Sequence, residues 1–229
     1  MSFLEIKNII KNGLWKQNPG LVQLLGLCPL LAVSNTATTA LSLGLATIVV
    51  LTLSNFFISL VRKIIIPEVR IIIYVMIIAC LVTCVELFME AYTPSLYQKL
   101  GLYLSLIVTN CIIIGRAEIF AVKNGVVYSI FDGLANGTGF TLVLLFLGII
   151  REIIGQGTIF AGFNELVGIE EDFTIRLFSA DKGLLVAILP PGAFIALGLL
   201  LGLKNFIDKG YKVKPKKTNA KQTNLEAQK

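Results

Sequence analysis

Apolar residues in this chain fall into long uncharged runs, not into the short alternations of half-buried soluble elements. Four runs suit helices that cross a bilayer, which takes roughly 20 apolar residues. They are Ala40 to Val61, Ile71 to about Phe88, Val127 to Ile150, and Gly183 to about Phe206, the last interrupted by Pro190-Pro191-Gly192. Two further runs are too short for a comfortable span. NPGLVQLLGLCPLLAVSN, Asn18 to Asn35, has Cys28 directly before Pro29. GLYLSLIVTNCIIIGRAE, Gly101 to Glu118, has Cys111 directly after Thr109 and Asn110. Each reaches polar residues soon after its lone cysteine, the pattern of a helix broken part-way through a membrane.

In chain order the segments read broken, full, full, and then broken, full, full again. Three crossings is an odd number, so the second half starts from the opposite side, the hydropathy signature of an inverted-topology repeat. The expected fold is an all-α integral membrane protein with six transmembrane segments in a 3+3 inverted-topology repeat. Segments 1 and 4 are its broken half-helices. A single membrane domain is expected over residues 1–206, with repeat one at about 14–92 and repeat two at about 100–206. Residues 207–229 read as a basic, disordered cytoplasmic tail. Asn18 to Cys28 makes roughly 15 Å of helix, half the ~30 Å hydrocarbon core, and Leu100 to Cys111 about as much. The two thiols then arrive near the midplane from opposite faces. Pro29 gives a local cause for a break at Cys28, because proline lacks an N–H and disfavours helix at the residue before it. Thr109-Asn110 is a softer cause at Cys111.

Composition agrees with the pattern. The 229 residues are 55% hydrophobic and 15% charged, with a mean hydropathy of +0.82; an ordinary soluble domain carries about a quarter charged residues. Lys204 to Lys229 holds eight lysines against Asp208 and Glu226, which accounts for the whole formal charge of +6. The near-neutral remainder argues against nucleic-acid binding. Lys and Arg exceed acids at the N-terminus (Lys7, Lys11, Lys16), at Arg62–Arg70 and at Arg116–Lys123, whereas acids prevail between Arg151 and Lys182. By the positive-inside rule both termini are cytoplasmic. The N-terminus has no cleavage pattern and is expected to stay in place.

Histidine is absent, and Cys28, Cys80, Cys84 and Cys111 all lie in apolar runs. Structural disulfides are not expected there. Two thiolates at matched half-span positions suit iron or an iron–sulfur cluster. A [2Fe–2S] cluster takes four cysteines, and this pair supplies two. Cys80 and Cys84 share a helix face at i and i+4, but segment 6, the counterpart of segment 3, has no cysteine. A symmetric site would then draw its missing ligands from a second, similar chain, which leaves Cys80 and Cys84 as packing residues. The N–H groups of Leu30 and Ile112, freed by the breaks, are candidate donors to sulfur. The side chains of Thr109 and Asn110 either support the site by hydrogen bonds or bond locally to backbone. Asp132 is a candidate for an ion or proton path, against a plain helix-end charge at the interface. Arg116 and Glu118 suggest an ion pair steadying the turn after Cys111.

Five stretches carry a resemblance: LLGLCPLLAVSNTAT, IVTNCIIIGRAE, Phe131-Asp132-Gly133, REIIGQGTIF and LPPGAF. They closely resemble the E subunit of the Rnf-type (Rsx-type) electron transport complex, over about Leu14 to Phe206. The related D subunit of the sodium-pumping NADH:quinone reductase is a close cousin, and LCPLLA and LPPGAF lean toward the Rnf side. The resemblance implies a six-helix subunit packed against a homologous A-type membrane subunit of opposite topology. It implies a [2Fe–2S] cluster between them at the membrane centre, with Cys28 and Cys111 as this chain's ligands and no ligand role for Cys80 or Cys84. It further implies partner iron–sulfur and flavin subunits in the bacterial inner membrane. The assembled complex would be a redox-driven ion translocase moving electrons between NADH and ferredoxin-type carriers, with no catalysis by this chain alone.

Two other classes fit the bare pattern. A secondary transporter uses inverted repeats with broken midplane helices and would purify without iron. A scaffold subunit would tolerate serine at its cysteines. No phosphate-binding or dinucleotide-binding glycine motif is present.

Overall fold

The computed structural model describes residues 9–63, 65–66, 68–159, 175–176 and 189–210. The expected tail beyond residue 210 and the expected start of segment 6 at residues 183–188 lie outside the described residues.

Helices dominate. In chain order they are a π-helical turn Asn12–Lys16, α1 (Leu27–Ala32), α2 (Ala37–Val61), α3 (Arg70–Tyr92) and α4 (Pro94–Leu104). A 3₁₀ turn Ser105–Ile107, α5 (Cys111–Arg116), a π-helical turn Ala117–Ala121, α6 (Val126–Gln156) and α7 (Pro190–Gly210) follow. The one departure from all-α among the described residues is a two-residue antiparallel pairing, β1 (Thr158–Ile159) with β2 (Ile175–Arg176), with Thr158 opposite Arg176. The described residues up to Leu197 form one compact unit and those from Gly198 onward belong to a second, the boundary falling within α7.

Among the described residues, five stretches are long and apolar enough to cross a membrane: Ala37–Val61, Arg70–Tyr92, Leu100–Ala121, Val126–Gln156 and Pro190–Asp208. Leu100–Ala121 reaches that length only across an interruption at Val108–Asn110. Pro190 and Pro191 fall in the first turn of the described helix, as suits a residue with fixed φ and no N–H to lose there; the stretch before them, where the expected interruption would show, lies outside the described residues.

The stretch from Asn18 to Asn35 differs from its expectation. No half-helix leads up to Cys28: residues 17–26 run as turns, and helix starts only at Leu27. The cause is local. Asn18 is buried and organises the turn, its Oδ1 accepting from the N–H of Gly20 at 3.0 Å and of Leu21 at 3.2 Å. Its Nδ2 donates to the carbonyls of Leu14 at 3.1 Å and Gly139 at 3.0 Å. Leu24 and Gly26 then take positive φ values of 52° and 71°, which no α-helix can continue through. Pro29 falls in the first turn of α1, after the break it was expected to cause.

α2 and α6 lie side by side at the centre of the first unit. Glycine permits their approach. A Cβ on Gly44 would lie 2.9 Å from Oγ1 of Thr141, and one on Gly133 would lie 2.9 Å from the backbone Cα of Thr52. The same sequence offset separates Gly44 from Gly133 and Thr52 from Thr141. It also separates the starts of the two helices, Ala37 and Val126. Hydroxyls in this interior are satisfied within their own helices. Ser42 donates to the Thr38 carbonyl (2.8 Å), Thr52 to Ile48 (2.7 Å) and Thr141 to Gly137 (2.9 Å), so apolar burial does not strand these hydroxyls. The outward surface is apolar, with Ile72, Met76, Leu87 and Phe88 of α3 all exposed, as lipid-facing helices require.

Gly133→Ala places a methyl against backbone, where no rotamer change relieves it. It should cost about 1–3 kcal/mol and lower the detergent-solubilised melting temperature. Gly125→Ala, whose added Cβ meets nothing within 4 Å, should leave it unchanged.

Candidate functional site

Both cysteines occupy the first turn of a short helix that follows a break. On the Cys111 side, α4 tightens through Ser105–Ile107, turns at Val108–Asn110, and α5 begins at Cys111 itself. Asn110 closes both sides of this gap. Its N–H donates to the Ile107 carbonyl (3.2 Å), its carbonyl accepts from Ile113 (3.0 Å), and its Oδ1 accepts from the Ile112 N–H (3.1 Å). Asn110 is thus the N-cap of α5, a position asparagine favours because its side chain accepts an otherwise orphaned helix N–H. On the Cys28 side, Gly26 in the left-handed region opens α1, and its carbonyl accepts from the Leu30 N–H at 3.2 Å.

The two breaks meet. A Cβ on Gly26 would lie 2.6 Å from Cδ1 of Ile112 and 3.0 Å from Oδ1 of Asn110. The residue two before Cys28 therefore packs onto the residues on either side of Cys111. Glycine fits this contact without displacing the Ile112 and Asn110 side chains, and its φ of 71° favours glycine as well. Leu25 reaches Gly115 in the same neighbourhood. Both thiols are exposed on the surface of the chain.

The expected sulfur donors are otherwise engaged. The N–H of Leu30 is used inside α1, and that of Ile112 by Asn110. Nδ2 of Asn110, beside Cys111 in sequence, is buried and has no hydrogen-bond partner. Thr109 is exposed. Cys80 and Cys84 are exposed on α3, so they do not pack inside this chain as expected. Among the described residues no group of three or more His, Cys, Asp or Glu side chains could hold a metal ion. Two thiols from this chain are half of the four-cysteine donor set of a [2Fe–2S] cluster. Their outward exposure leaves room for a second protein to supply the rest, and the unpaired Asn110 amide suits an anionic, sulfur-rich neighbour. The residues present fit such a group as a half-site.

Asp132 is 2% exposed and lies in α6, away from any helix-end position in water. Its carboxylate receives Nε of Arg116 at 2.8 Å and also Nη2 of the same guanidinium. Nδ2 of Asn136 adds a hydrogen bond at 3.0 Å. Arg116 also lies over the Phe120 ring, 5.2 Å from its centroid. The turn after Cys111 is therefore tied to α6 by Arg116–Asp132, not by the expected Arg116–Glu118 pair; Glu118 pairs with Arg70.

Sequence reasoning missed Asn18, Gly26, Arg151 and Glu152. Asn18-Pro19-Gly20 was a legible turn signal. Gly26 becomes special only through its neighbour across the fold. Arg151 and Glu152 are nearly inaccessible, 2% and 0% exposed, although in the sequence they open the charged stretch that follows an apolar run.

Helices of this length and apolarity, facing outward with bulky aliphatic side chains, define a multi-pass integral membrane protein. The chain belongs to the Rnf-Nqr family, described as "Rnf-Nqr subunit, membrane protein", which matches residues 6–201. Its relatives include proteins named as the E subunit of an ion-translocating oxidoreductase complex. That of Shewanella loihica is 59% identical over 204 residues, covering 89% of this chain and 88% of its own. That of Haemophilus influenzae is 61% identical over 203 residues, covering 88% and 87%. That of Pseudomonas aeruginosa is 56% identical over 209 residues, covering 91% and 88%.

Removing one partner of a buried ion pair strands the other. Arg116→Gln should destabilise the protein by about 3–5 kcal/mol, and adding Asp132→Asn should recover most of that loss in thermal unfolding. Equal instability of the single and double variants would rule out the pair as the tie between the turn and α6.

Proposed function

We propose that this chain is the E-type membrane subunit of an ion-translocating oxidoreductase complex. With a homologous A-type membrane subunit it holds a [2Fe–2S] cluster, for which Cys28 and Cys111 are its ligands. The observation that carries this reading is the contact of Gly26 with Asn110 and Ile112, which brings two distant cysteine segments to one place with both thiols facing outward. When bound, the cluster supplies a one-electron site part-way across the bilayer, in a complex that links electron flow between NADH or ferredoxin-type carriers and flavin subunits to ion movement. This chain's own residues do the rest. The thiols anchor, Asn110 holds the Cys111 break and has an unpaired amide available as a donor, and Thr109 is exposed next to it in sequence.

The six-segment 3+3 inverted repeat belongs to the same reading. It is supported by the matched offsets of Gly44/Gly133, Thr52/Thr141 and Ala37/Val126, and by the occurrence of one cysteine-bearing break before each of α2 and α6. The bacterial inner membrane and cytoplasmic termini are part of the same proposal, and the excess of Lys and Arg at the N-terminus, at Arg62–Arg70 and at Arg116–Lys123 supports the orientation. Asp132 remains a candidate for the ion path, and its engagement by Arg116 means that ion passage there requires the pair to open.

The test is low-temperature EPR with iron quantitation on the reduced complex. Cys28→Ser and Cys111→Ser should each abolish the [2Fe–2S] signal, and Cys80→Ser/Cys84→Ser should keep it. No iron in any sample would favour a transporter or scaffold instead. The Arg116→Gln/Asp132→Asn double variant, which strands no charge, should slow ion-coupled turnover while the signal persists; unchanged pumping would remove Asp132 from the path.

A further inference from the structure

Helix α1 has only six residues. A helix so short makes few internal bonds and leaves most of its terminal N–H and C=O groups to outside partners. Its direction, and with it the place of Cys28, is therefore set by what grips its two ends. Both grips come from the second half of the chain. At the N-terminal end Gly26 rests on Asn110 and Ile112.

At the C-terminal end the grip is Arg151, near the end of α6. Its Nη1 donates to the Leu31 carbonyl at 3.2 Å and to Oγ of Ser34 at 2.6 Å, and its Nη2 to the Leu189 carbonyl at 3.4 Å. The next residue holds the other side of the same corner. Oε2 of Glu152 accepts from the N–H of Ala37, the first residue of α2, at 2.7 Å, and its Oε1 accepts from Thr158 at 3.2 Å. A cation thus meets the carbonyl end of α1 and an anion meets the amide end of α2. Each complements the helix dipole it faces. Both charges are buried, so the hydrogen bonds they make are worth far more than in water.

We infer that Arg151 and Glu152 are positioning residues for the Cys28 ligand: they fix the α1–α2 corner so that Cys28 stands beside Cys111. The inference rests on the cluster reading above. A parallel contact exists at the opposite long helix. Arg62, separated from Arg151 by the same offset as Ala37 from Val126, donates to the Asn124 carbonyl, as does Oγ of Ser59 at 3.0 Å. Asn124 lies well beyond Cys111, past the π-helical turn Ala117–Ala121, so this second clamp acts on its cysteine only remotely.

The experiment uses the whole purified complex carrying Arg151→Gln, Arg151→Lys, Ser34→Ala or Glu152→Gln, with Arg62→Gln for comparison. Iron per complex, EPR g-values and midpoint potential are read on each. Arg151→Gln should shift the g-values and the potential and lower iron content severalfold. Arg151→Lys, Ser34→Ala and Glu152→Gln should shift them less, in the same direction, and Arg62→Gln should shift them least. If Arg151→Gln yields no complex, Arg151→Lys and Ser34→Ala decide by the same readouts. Wild-type spectra and potentials in the Arg151 and Ser34 variants, or equal shifts in Arg62→Gln and Arg151→Gln, would overturn the positioning role and leave the cluster reading intact. Absence of any signal in the wild-type complex would overturn the cluster reading itself.

Discussion

A backbone group left unpaired away from water costs several kcal/mol in a bilayer, and this chain interrupts its helices at both cysteine-bearing segments. Everything around the cysteines answers that constraint. At each break a single asparagine does the work that water does elsewhere. Asn18 gathers the N–H groups of Gly20 and Leu21 and fastens itself to Gly139 of α6. Asn110 caps α5 and bonds back to the preceding 3₁₀ turn. Because the breaks satisfy themselves in this way, they can meet. Gly26, having no side chain, lets them do so.

Charge is used under the same constraint. Arg116, Asp132, Arg151 and Glu152 are all buried, and the partners of each include a charged group or helix-terminal backbone. Arg116 and Asp132 join the second cysteine segment to α6. Arg151 and Glu152 join α6 to the first cysteine segment and to α2. One long helix therefore reaches both cysteine-bearing segments through buried charge, while its glycine face lies against α2. Buried pairs of this kind add little net stability relative to apolar packing; their contribution is to fix which corner sits where.

Much of this was legible in the sequence. Hydropathy located the spanning segments, because a bilayer imposes length and apolarity directly. The lone cysteines marked the two breaks, and the motifs around them identified the family. The manner of the first break was not legible. Pro29 drew attention as a helix breaker, yet proline is tolerated in a first turn, and the interruption lay upstream where Asn18 and two positive φ values bend the chain. The ion pairs were also misassigned. Arg116 and Glu118 are neighbours in sequence, but Asp132 comes within reach of Arg116 only once α6 packs against the second break. Exposure of Cys80 and Cys84 was equally hidden, since an apolar run does not say which face meets lipid.

The central claim is that the two breaks bring Cys28 and Cys111 to one place. The most direct measurement is intrachain thiol cross-linking in the purified complex carrying Cys80→Ser/Cys84→Ser, after iron has been stripped by a chelator. A short bifunctional thiol reagent should join Cys28 to Cys111 within this chain, detected as a linked peptide by mass spectrometry. Two thiols that each react fully with a monofunctional maleimide yet never link to one another would contradict the account.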